Sequence, residues 1–141
     1  MTKKYFLDTC IWRDFYENRK SKSGRGLGNE AEYIFMIILK RKEKILFSES
    51  LYLELRKDYS IDEINEMLTL LFTANVLIKI EITSEEFTEA KKLAQERNIP
   101  FIDCLNAVQT RNHKAIMVTQ DKHFFEKLKD IIQAKKPLEV N

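Results

Sequence analysis

The sequence predicts an α/β fold, in which a central, mostly parallel sheet of four to five strands lies between two layers of helices. Short apolar runs of strand character alternate with longer helical segments along nearly the whole chain. Such alternation is typical of parallel strands joined by helical crossovers, with helices on both faces of the sheet. Because the 141 residues contain no repeat and no low-complexity linker, we expect one domain over residues 1–141.

The composition is typical of a folded protein without membrane-spanning segments. Hydrophobic residues make up 44% of the chain, which is enough to form a core. The longest wholly apolar run, Tyr33 to Leu39, is far shorter than the roughly 20 residues that span a bilayer. Cys10 and Cys104 match neither a disulfide framework nor a metal-binding motif, so we expect a cytoplasmic protein with no membrane partner.

The first part of the chain is predicted to form two strands and three helices. An apolar run that stops at Asp8 predicts the first strand, and Ser48 is expected to cap the helix after the second. Asn29 is expected to cap the long helix between them. The predicted strands are 3–7 and 45–47, and the predicted helices are 11–18, 30–43 and 49–57.

The second part of the chain carries clearer helix signals. Ser60 with Glu63, and Thr83 with Glu86, have the spacing of capping boxes, and Pro100 separates two further helices. The predicted helices are 61–72, 84–97, 102–111 and 122–127; the predicted strands are 76–80, 115–118 and an edge strand at 130–134. Pro137 is expected to end the regular structure.

Two of the predicted helices carry more apolar surface than a small core needs. The helix at 30–43 is apolar on nearly every side, which is typical of burial by more than one neighbour. The helix at 61–72 has spare apolar residues beside its core stripe: Met67, Leu70 and Phe72. A chain of this size cannot easily cover both helices, so we expect a homodimer or a second protein to bury part of them.

Four acidic residues lie at or just after the ends of apolar runs. Asp8 and Asp121 follow the first and fourth predicted strands, Glu54 lies in the helix after the second, and Asp103 follows Pro100. Ligands of open parallel sheets bind beyond the carboxyl ends of the strands. Four carboxylates there would form a divalent-metal site, although each acid alone has an ordinary explanation as a cap, turn or surface residue.

Four short motifs occur in the order and at the spacings of one known family. They are Phe6-Leu7-Asp8-Thr9, Ser48 with Glu54 six residues later, Ile102-Asp103-Cys104-Leu105-Asn106-Ala107, and Val118-Thr119-Gln120-Asp121-Lys122-His123-Phe124. On these motifs, nearly the whole chain resembles the PIN-domain nucleases, which include the toxin ribonucleases of VapBC-type toxin–antitoxin pairs. The resemblance implies a PIN-like three-layer α/β/α fold.

The resemblance also implies a metal-dependent endoribonuclease that uses Mg²⁺ or Mn²⁺. Four residues match the family's acids and are implied to be catalytic residues and metal ligands: Asp8, Glu54, Asp103 and Asp121. Thr9 and Thr119 match its supporting polar positions. Carboxylates suit this role because Mg²⁺ prefers oxygen ligands, and closely spaced carboxylates repel one another until a cation neutralises them.

Asn106 is a further candidate for the site, whereas the two histidines are not. Asn106 lies one helical turn after Asp103 and can hydrogen-bond within the site. His113 and His123 are expected on the surface rather than among the ligands.

The segment Arg19 to Gly28 holds all three glycines of the protein and is predicted to be a flexible loop. It also contains four of the cations in a locally basic region: Arg19, Lys20, Lys22 and Arg25. These side chains can bind the phosphates of RNA, which would make binding sensitive to salt. The alternative is an ordinary solvated face.

Three functions remain open at this point. The first is the toxin of a toxin–antitoxin pair, held inactive by a small antitoxin protein. The second is a stand-alone nuclease of RNA maturation that needs no antitoxin. The third is a non-catalytic binding module, in which the acids have only structural roles and bind no Mg²⁺ or Mn²⁺.

Overall fold

Five strands form the sheet in residues 2–141, the part of the chain that the computed structural model describes. They are β1 (Lys4–Leu7), β2 (Lys44–Ser48), β3 (Leu77–Ile80), β4 (Ile116–Val118) and β5 (Ala134–Lys135). Their order is β3-β2-β1-β4-β5, and every pairing is parallel. The predicted parallel sheet of four to five strands is therefore confirmed.

Seven α-helices accompany the sheet in the same residues. They are α1 (Thr9–Glu17), α2 (Leu27–Arg41), α3 (Glu49–Leu55), α4 (Ile61–Thr73), α5 (Ser84–Arg97), α6 (Phe101–Asn112) and α7 (Lys122–Glu126). Among these described helices, none combines the length and apolar character needed to cross a bilayer.

The helices form a layer on each face of the sheet, as predicted. On one face, Trp12 of α1 packs edge-on against Phe35 of α2 and Phe47 of β2, and α4 borders the same region. On the other face, α5 packs on α6, and α6 contacts β1 and β4. The architecture is therefore the expected three-layer α/β/α arrangement.

The central strand β1 is apolar from Tyr5 to Leu7 because helices cover both of its faces. Tyr5, Phe6 and Leu7 are fully buried, although successive side chains of a strand point to opposite faces. Such continuous burial is typical of parallel sheets. It fixes the position of Asp8, the first residue beyond this strand.

Both predicted capping boxes are present. The Ser60 hydroxyl accepts the backbone N–H of Glu63, and the Glu63 carboxylate accepts that of Ser60. Thr83 and Glu86 form the same reciprocal pair at the start of α5. These pairs satisfy backbone donors that the first helical turn leaves free.

The start of α2 differs from the prediction. The helix begins at Leu27 with Gly26 as its cap, so Asn29 lies inside the first turn rather than at the cap. Ile34 and Ile38 are fully buried, whereas Met36 on the opposite side is 57% exposed. The outer face of α2 therefore remains open in the described chain, as expected for a helix that this chain alone cannot cover.

The C-terminal strand is shorter and later than predicted. The segment after α7 forms hydrogen-bonded turns, in which Leu128 and Ile132 bury their side chains in the core. Pairing with β4 begins only at Ala134, so the predicted edge strand is present but its predicted bounds, 130–134, are wrong. Pro137 opens a short 3₁₀ turn, Pro137–Glu139, instead of ending the regular structure.

Residues 19–26, called here the basic hairpin, form a hydrogen-bonded turn. The backbone N–H of Ser21 donates to the carbonyl of Arg25 at 2.9 Å, and that of Gly24 donates back to Ser21 at 2.9 Å. Lys20 and Gly26 pair as an antiparallel bridge. The segment predicted to be a flexible loop thus has defined internal hydrogen bonds.

Gly28 lets the chain leaving the basic hairpin pack against the end of α1. A Cβ atom at this position would lie 2.7 Å from the Cα of Asn18 and 3.0 Å from the carbonyl oxygen of Asp14. Both neighbours are backbone atoms, which cannot move aside as a flexible side chain can. Close packing of α2 on α1 therefore requires glycine at this position.

We expect Gly28→Ala to lower the free energy of unfolding by about 2 kcal/mol, because the added methyl group forces two backbone segments apart. Chemical denaturation measures this change. Gly26→Ala is the matched control, since its Cβ would approach only the side chain of Asn29, and we expect it to cost less than about 1 kcal/mol. Equal losses for the two variants would contradict the packing explanation.

Candidate metal centre

Asp8 lies at the carboxyl end of the central strand and caps α1. Its backbone N–H donates to the carbonyl of Val118 at 2.9 Å, which extends the pairing of β1 with β4 by one residue. Its carboxylate accepts the Thr9 backbone N–H at 2.9 Å and the Thr119 hydroxyl at 2.8 Å. Only 7% of the residue is exposed. Asp8 is therefore a buried carboxylate held by two hydrogen-bond donors.

Glu54 meets Asp8 through Thr9. The Thr9 hydroxyl donates to a carboxylate oxygen of Glu54 at 2.7 Å. Glu54 lies in α3, whose start is set by the Ser48 hydroxyl accepting the backbone N–H of Ser50 at 3.2 Å. Thr9, which follows Asp8 in sequence, thus holds the Glu54 carboxylate in place.

Asp103 and Asp121 meet at a third side chain, His123. Asp103 is in the first turn of α6, and Asp121 caps α7 by accepting the backbone N–H of His123 at 2.9 Å. The Nδ1 atom of His123 lies 3.1 Å from Oδ2 of Asp103 and 3.7 Å from Oδ1 of Asp121. Within residues 2–141 these three side chains form a group suited to bind a metal ion.

The Thr119 hydroxyl connects the two halves of the cluster. It donates to Asp8, and it accepts the backbone N–H of Asp121 at 2.9 Å. Thr119 is fully buried. The Thr119 hydroxyl therefore helps to position two acids, Asp8 at the end of β1 and Asp121 after β4.

The acids repel one another in the absence of a cation. Burial, followed by the charges of Asp103 and Glu54, raises the pKa of Asp8 to about 7, against the lowering effect of its two hydrogen bonds. Burial and the charges of Asp121 and Glu54 also raise the pKa of Asp103, while the contact with His123 lowers it. Asp103 is therefore close enough to Asp121 and Glu54, and Asp8 to Asp103 and Glu54, for their charges to interact.

The donor set fits a divalent cation such as Mg²⁺ or Mn²⁺. Carboxylate oxygens are the preferred ligands of both ions. Burial raises the pKa of Asp8 and Asp103 most, and a cation would relieve the repulsion that raises it further. A single imidazole nitrogen is compatible with Mn²⁺. The arrangement can hold a cation at the carboxyl edge of the sheet, where substrates of α/β proteins bind.

Asn106 is hydrogen-bonded to Ser50 rather than to one of the four acids. The Ser50 hydroxyl donates to its Oδ1 at 2.6 Å, and the residue is fully buried. Ser50 is one turn before Glu54 in α3, just as Asn106 is one turn after Asp103 in α6. The hydrogen bond thus links the helices that carry two of the acids without contacting either acid.

The basic hairpin lies beside the acidic cluster. Arg25 forms an ion pair with Glu30 at 2.8 Å and donates to the side chain of Gln120, which precedes Asp121, at 3.3 Å. Arg19 pairs with Glu17. The other two cations of the hairpin, Lys20 and Lys22, are exposed.

The contact of His123 with the acids was missed from the sequence, which suggested a surface position. His123 is the second residue of α7, and the cap at Asp121 turns the start of this helix toward Asp103. The spacing of Asp121 and His123 could have indicated this contact. A residue two positions after a capping acid lies at the same end of the helix as that acid.

An apolar groove of about 360 Å³ lies between α1, α2 and α4, away from the acids. Aromatic and long aliphatic side chains line it: Trp12, Phe15, Tyr16, Phe35, Met36, Leu39, Met67, Leu70 and Leu71. Met36 and Leu70 at its rim are 57% and 64% exposed. Both helices that were expected to carry spare apolar surface thus border the same groove.

The fold occurs in several solved structures. VapBC2 from Rickettsia felis, bound to a DNA fragment from its promoter, is 17% identical with a TM-score of 0.64, and the match covers 94% of this chain and 98% of that chain. A toxin–antitoxin complex from Klebsiella pneumoniae is 16% identical with a TM-score of 0.62, covering 96% and 99%. DNA-bound VapBC from Salmonella typhimurium is 15% identical with a TM-score of 0.62, covering 97% and 99%. At these identities the likeness establishes a shared fold.

The sequence itself also matches a known family. No curated protein matches the chain. The family model of the PIN domain, however, matches residues 5–130, from the central strand to the turn after α7. Because this match includes the strands and helices that carry all four acids, the chain belongs to the PIN domain family.

Proposed function

We propose that this protein is a divalent-metal-dependent endoribonuclease that hydrolyses phosphodiester bonds of RNA, and that it is the toxin of a toxin–antitoxin pair. The observation that supports the proposal is that four carboxylates lie in two linked groups near the carboxyl edge of the sheet. Thr9 joins Asp8 to Glu54, His123 joins Asp103 to Asp121, and Thr119 connects the two groups. Members of the PIN domain family are generally nucleases, which supports the same reaction class.

In this proposal the four acids hold Mg²⁺ or Mn²⁺: Asp8, Glu54, Asp103 and Asp121. When bound, the ion supplies the positive charge that activates a water molecule and stabilises the phosphoryl oxygens. The acids supply the negative charge that retains the ion. No histidine, cysteine or serine nucleophile is required by this chemistry.

Neutral donors position the acids before substrate arrives. The Thr119 hydroxyl and the Thr9 backbone N–H hold the two oxygens of Asp8, and the Thr9 hydroxyl holds Glu54. Groups fixed in this way need little rearrangement during the reaction. Thr9 and Thr119 are therefore assigned supporting roles, and Asn106 an indirect one through α3.

The basic hairpin is proposed to bind the phosphates of RNA beside the acids. Lys20 and Lys22 are exposed, whereas Arg19 and Arg25 already have acidic partners. The hydrogen bond from Arg25 to Gln120 keeps the hairpin next to the segment that carries Asp121. Lys20 and Lys22 are therefore the hairpin cations proposed to contact phosphates next to the bond held at the acids.

The apolar groove is proposed to bind an apolar segment of a small antitoxin. Its open rim, at Met36 and Leu70, exposes more contiguous apolar surface than scattered surface residues would. Two of the structures that share this fold are described as VapBC, and a third as a toxin–antitoxin complex. A second copy of this chain, giving a homodimer, is the alternative occupant.

We expect Asp8→Asn to abolish cleavage of a pooled RNA substrate, because the neutral side chain weakens the hold on the ion. The wild type should cleave with Mg²⁺ or Mn²⁺ and stop in EDTA. Asp62→Asn, which changes an exposed acid of α4, is the control and should retain full activity. Metal-independent cleavage, or no divalent-ion binding by the wild type, would refute the proposed mechanism.

Without metal, we expect Asp8→Asn to be at least as stable as the wild type. Above pH 7 its free energy of unfolding should be about 1 kcal/mol higher, because the substitution removes a charge that the neighbouring acids repel. The pKa of Asp8 in the folded protein, about 7, lies above its usual value of 3.8. Its protonated form therefore favours folding, and the wild type should lose stability as pH rises from about 4 to 7.

Melting curves in EDTA across this pH range measure the effect. The variant should show a smaller loss than the wild type. If Asp8→Asn were instead strongly destabilised at every pH, the carboxylate would serve the fold through its hydrogen bonds rather than the site.

Changing Lys20 and Lys22 together to Ala is expected to weaken RNA binding and to flatten its salt dependence. For single-stranded RNA, loss of two phosphate contacts should reduce the slope of log affinity against log salt by about 1.4. The matched control changes Lys91 and Lys92, two exposed lysines of α5, to Ala. Equal slopes for the wild type and the hairpin variant would assign the hairpin to ordinary solvated surface.

Leu70→Asp is expected to weaken the complex formed at the apolar groove roughly 30-fold, about 2 kcal/mol, because the charge would lose its water on binding. Leu138→Asp is the control, since Leu138 is similarly exposed outside the groove. Sedimentation, alone and with a small protein encoded immediately upstream, measures both possible assemblies. A wild type that remains monomeric at tens of micromolar, with no such partner, would favour the stand-alone nuclease.

A further inference from the structure

We propose that Nδ1 of His123 is a direct ligand of the divalent ion and gives the site a preference for Mn²⁺ over Mg²⁺. This inference rests on the proposed function, in which the acids bind such an ion. It adds a nitrogen ligand to the four oxygen ligands that the sequence motifs imply. The selectivity of the site would then depend on a residue outside the acidic set.

The spacing of the atoms around Nδ1 fits ligands of one ion. Nδ1 lies 3.1 Å from Oδ2 of Asp103 and 3.7 Å from Oδ1 of Asp121. Two ligands at right angles, each about 2.1 Å from an ion, are about 3.0 Å apart. The Asp103–His123 separation already has this value. In the metal-free protein the same contact is a hydrogen bond, which a bound ion would replace.

The imidazole is held in this position from both sides. The backbone N–H of His123 donates to Asp121, so this second residue of α7 is held close to that acid. The next residue, Phe124, is fully buried and anchors the helix to the core. The His123 side chain is only 29% exposed. A mobile surface histidine would have neither constraint.

A nitrogen ligand changes which ion the site prefers. Mg²⁺ is a hard cation that binds oxygen almost exclusively and keeps several waters. Mn²⁺ also takes carboxylates, but as a transition-metal ion it accepts imidazole more readily than Mg²⁺ does. Nδ1 would take the place of a water oxygen on the ion, and this exchange costs Mg²⁺ more than it costs Mn²⁺.

The competing explanation is that His123 only positions Asp103 through a hydrogen bond. A positioning residue would affect the binding of both ions to a similar extent, since it acts through the carboxylate. A ligand would affect Mn²⁺ selectively and would place a nitrogen nucleus in contact with the ion. These two signatures can be measured without any assay of RNA cleavage.

The experiment compares Mn²⁺ bound to the wild type, to His123→Asn and to His113→Asn. His113 is the other histidine of the chain and caps the far end of α6, which makes it the matched control. Electron spin echo spectroscopy of Mn²⁺ should show nitrogen modulation in the wild type and in His113→Asn, but not in His123→Asn. Calorimetry should show about tenfold or greater loss of Mn²⁺ affinity in His123→Asn, with Mg²⁺ affinity changed less than about threefold.

Wild-type protein labelled with ¹⁵N-histidine provides a test that needs no substitution, because the label alters the modulation only if imidazole is bound. Unaltered modulation, or an equal loss of Mg²⁺ and Mn²⁺ affinity in His123→Asn, would overturn the ligand assignment and leave the proposed function intact. Failure of the wild type to bind Mn²⁺ at all would overturn both.

Discussion

The carboxylate of Asp8, almost removed from water at the end of the central strand, is the constraint on which the rest of the site depends. A buried carboxylate is stable only with donors and a counter-charge nearby. Thr9 and Thr119 supply the donors, whereas the nearest charged groups are other acids. The chain thus brings together charges that disfavour one another, and a bound divalent cation would offset their repulsion.

Many of the strands and helices could be predicted because they depend on patterns of residues that are close in sequence. The apolar run before Asp8 predicted the central strand, and the spacing of Ser60 with Glu63 predicted the start of α4. The four acids were found differently. Each acid alone has an ordinary structural explanation, so their grouping came from the order of family motifs rather than from physical properties of single residues.

The features that could not be predicted depend on contacts between distant segments. The start of α2 at Leu27 follows from the packing of Gly28 against α1, so Asn29, a good cap by its chemistry, lies inside the helix. The two residues of β5 form a strand by pairing with β4, and the strand propensity of the residues does not reveal that contact. The orientation of His123 toward Asp103 requires the cap of α7 and the start of α6 to meet in space.

The link between Asp8 and Thr119 has a consequence for how such a site can be controlled. Both residues directly follow a paired position, Leu7 with Val118, so their separation is set by the spacing of neighbouring strands, about 4.8 Å. The centre of the sheet would have to open before these two groups could separate. A rearranged loop therefore cannot disassemble this half of the cluster. Control of the site is expected to act by occlusion, with another molecule covering acids that remain correctly arranged underneath.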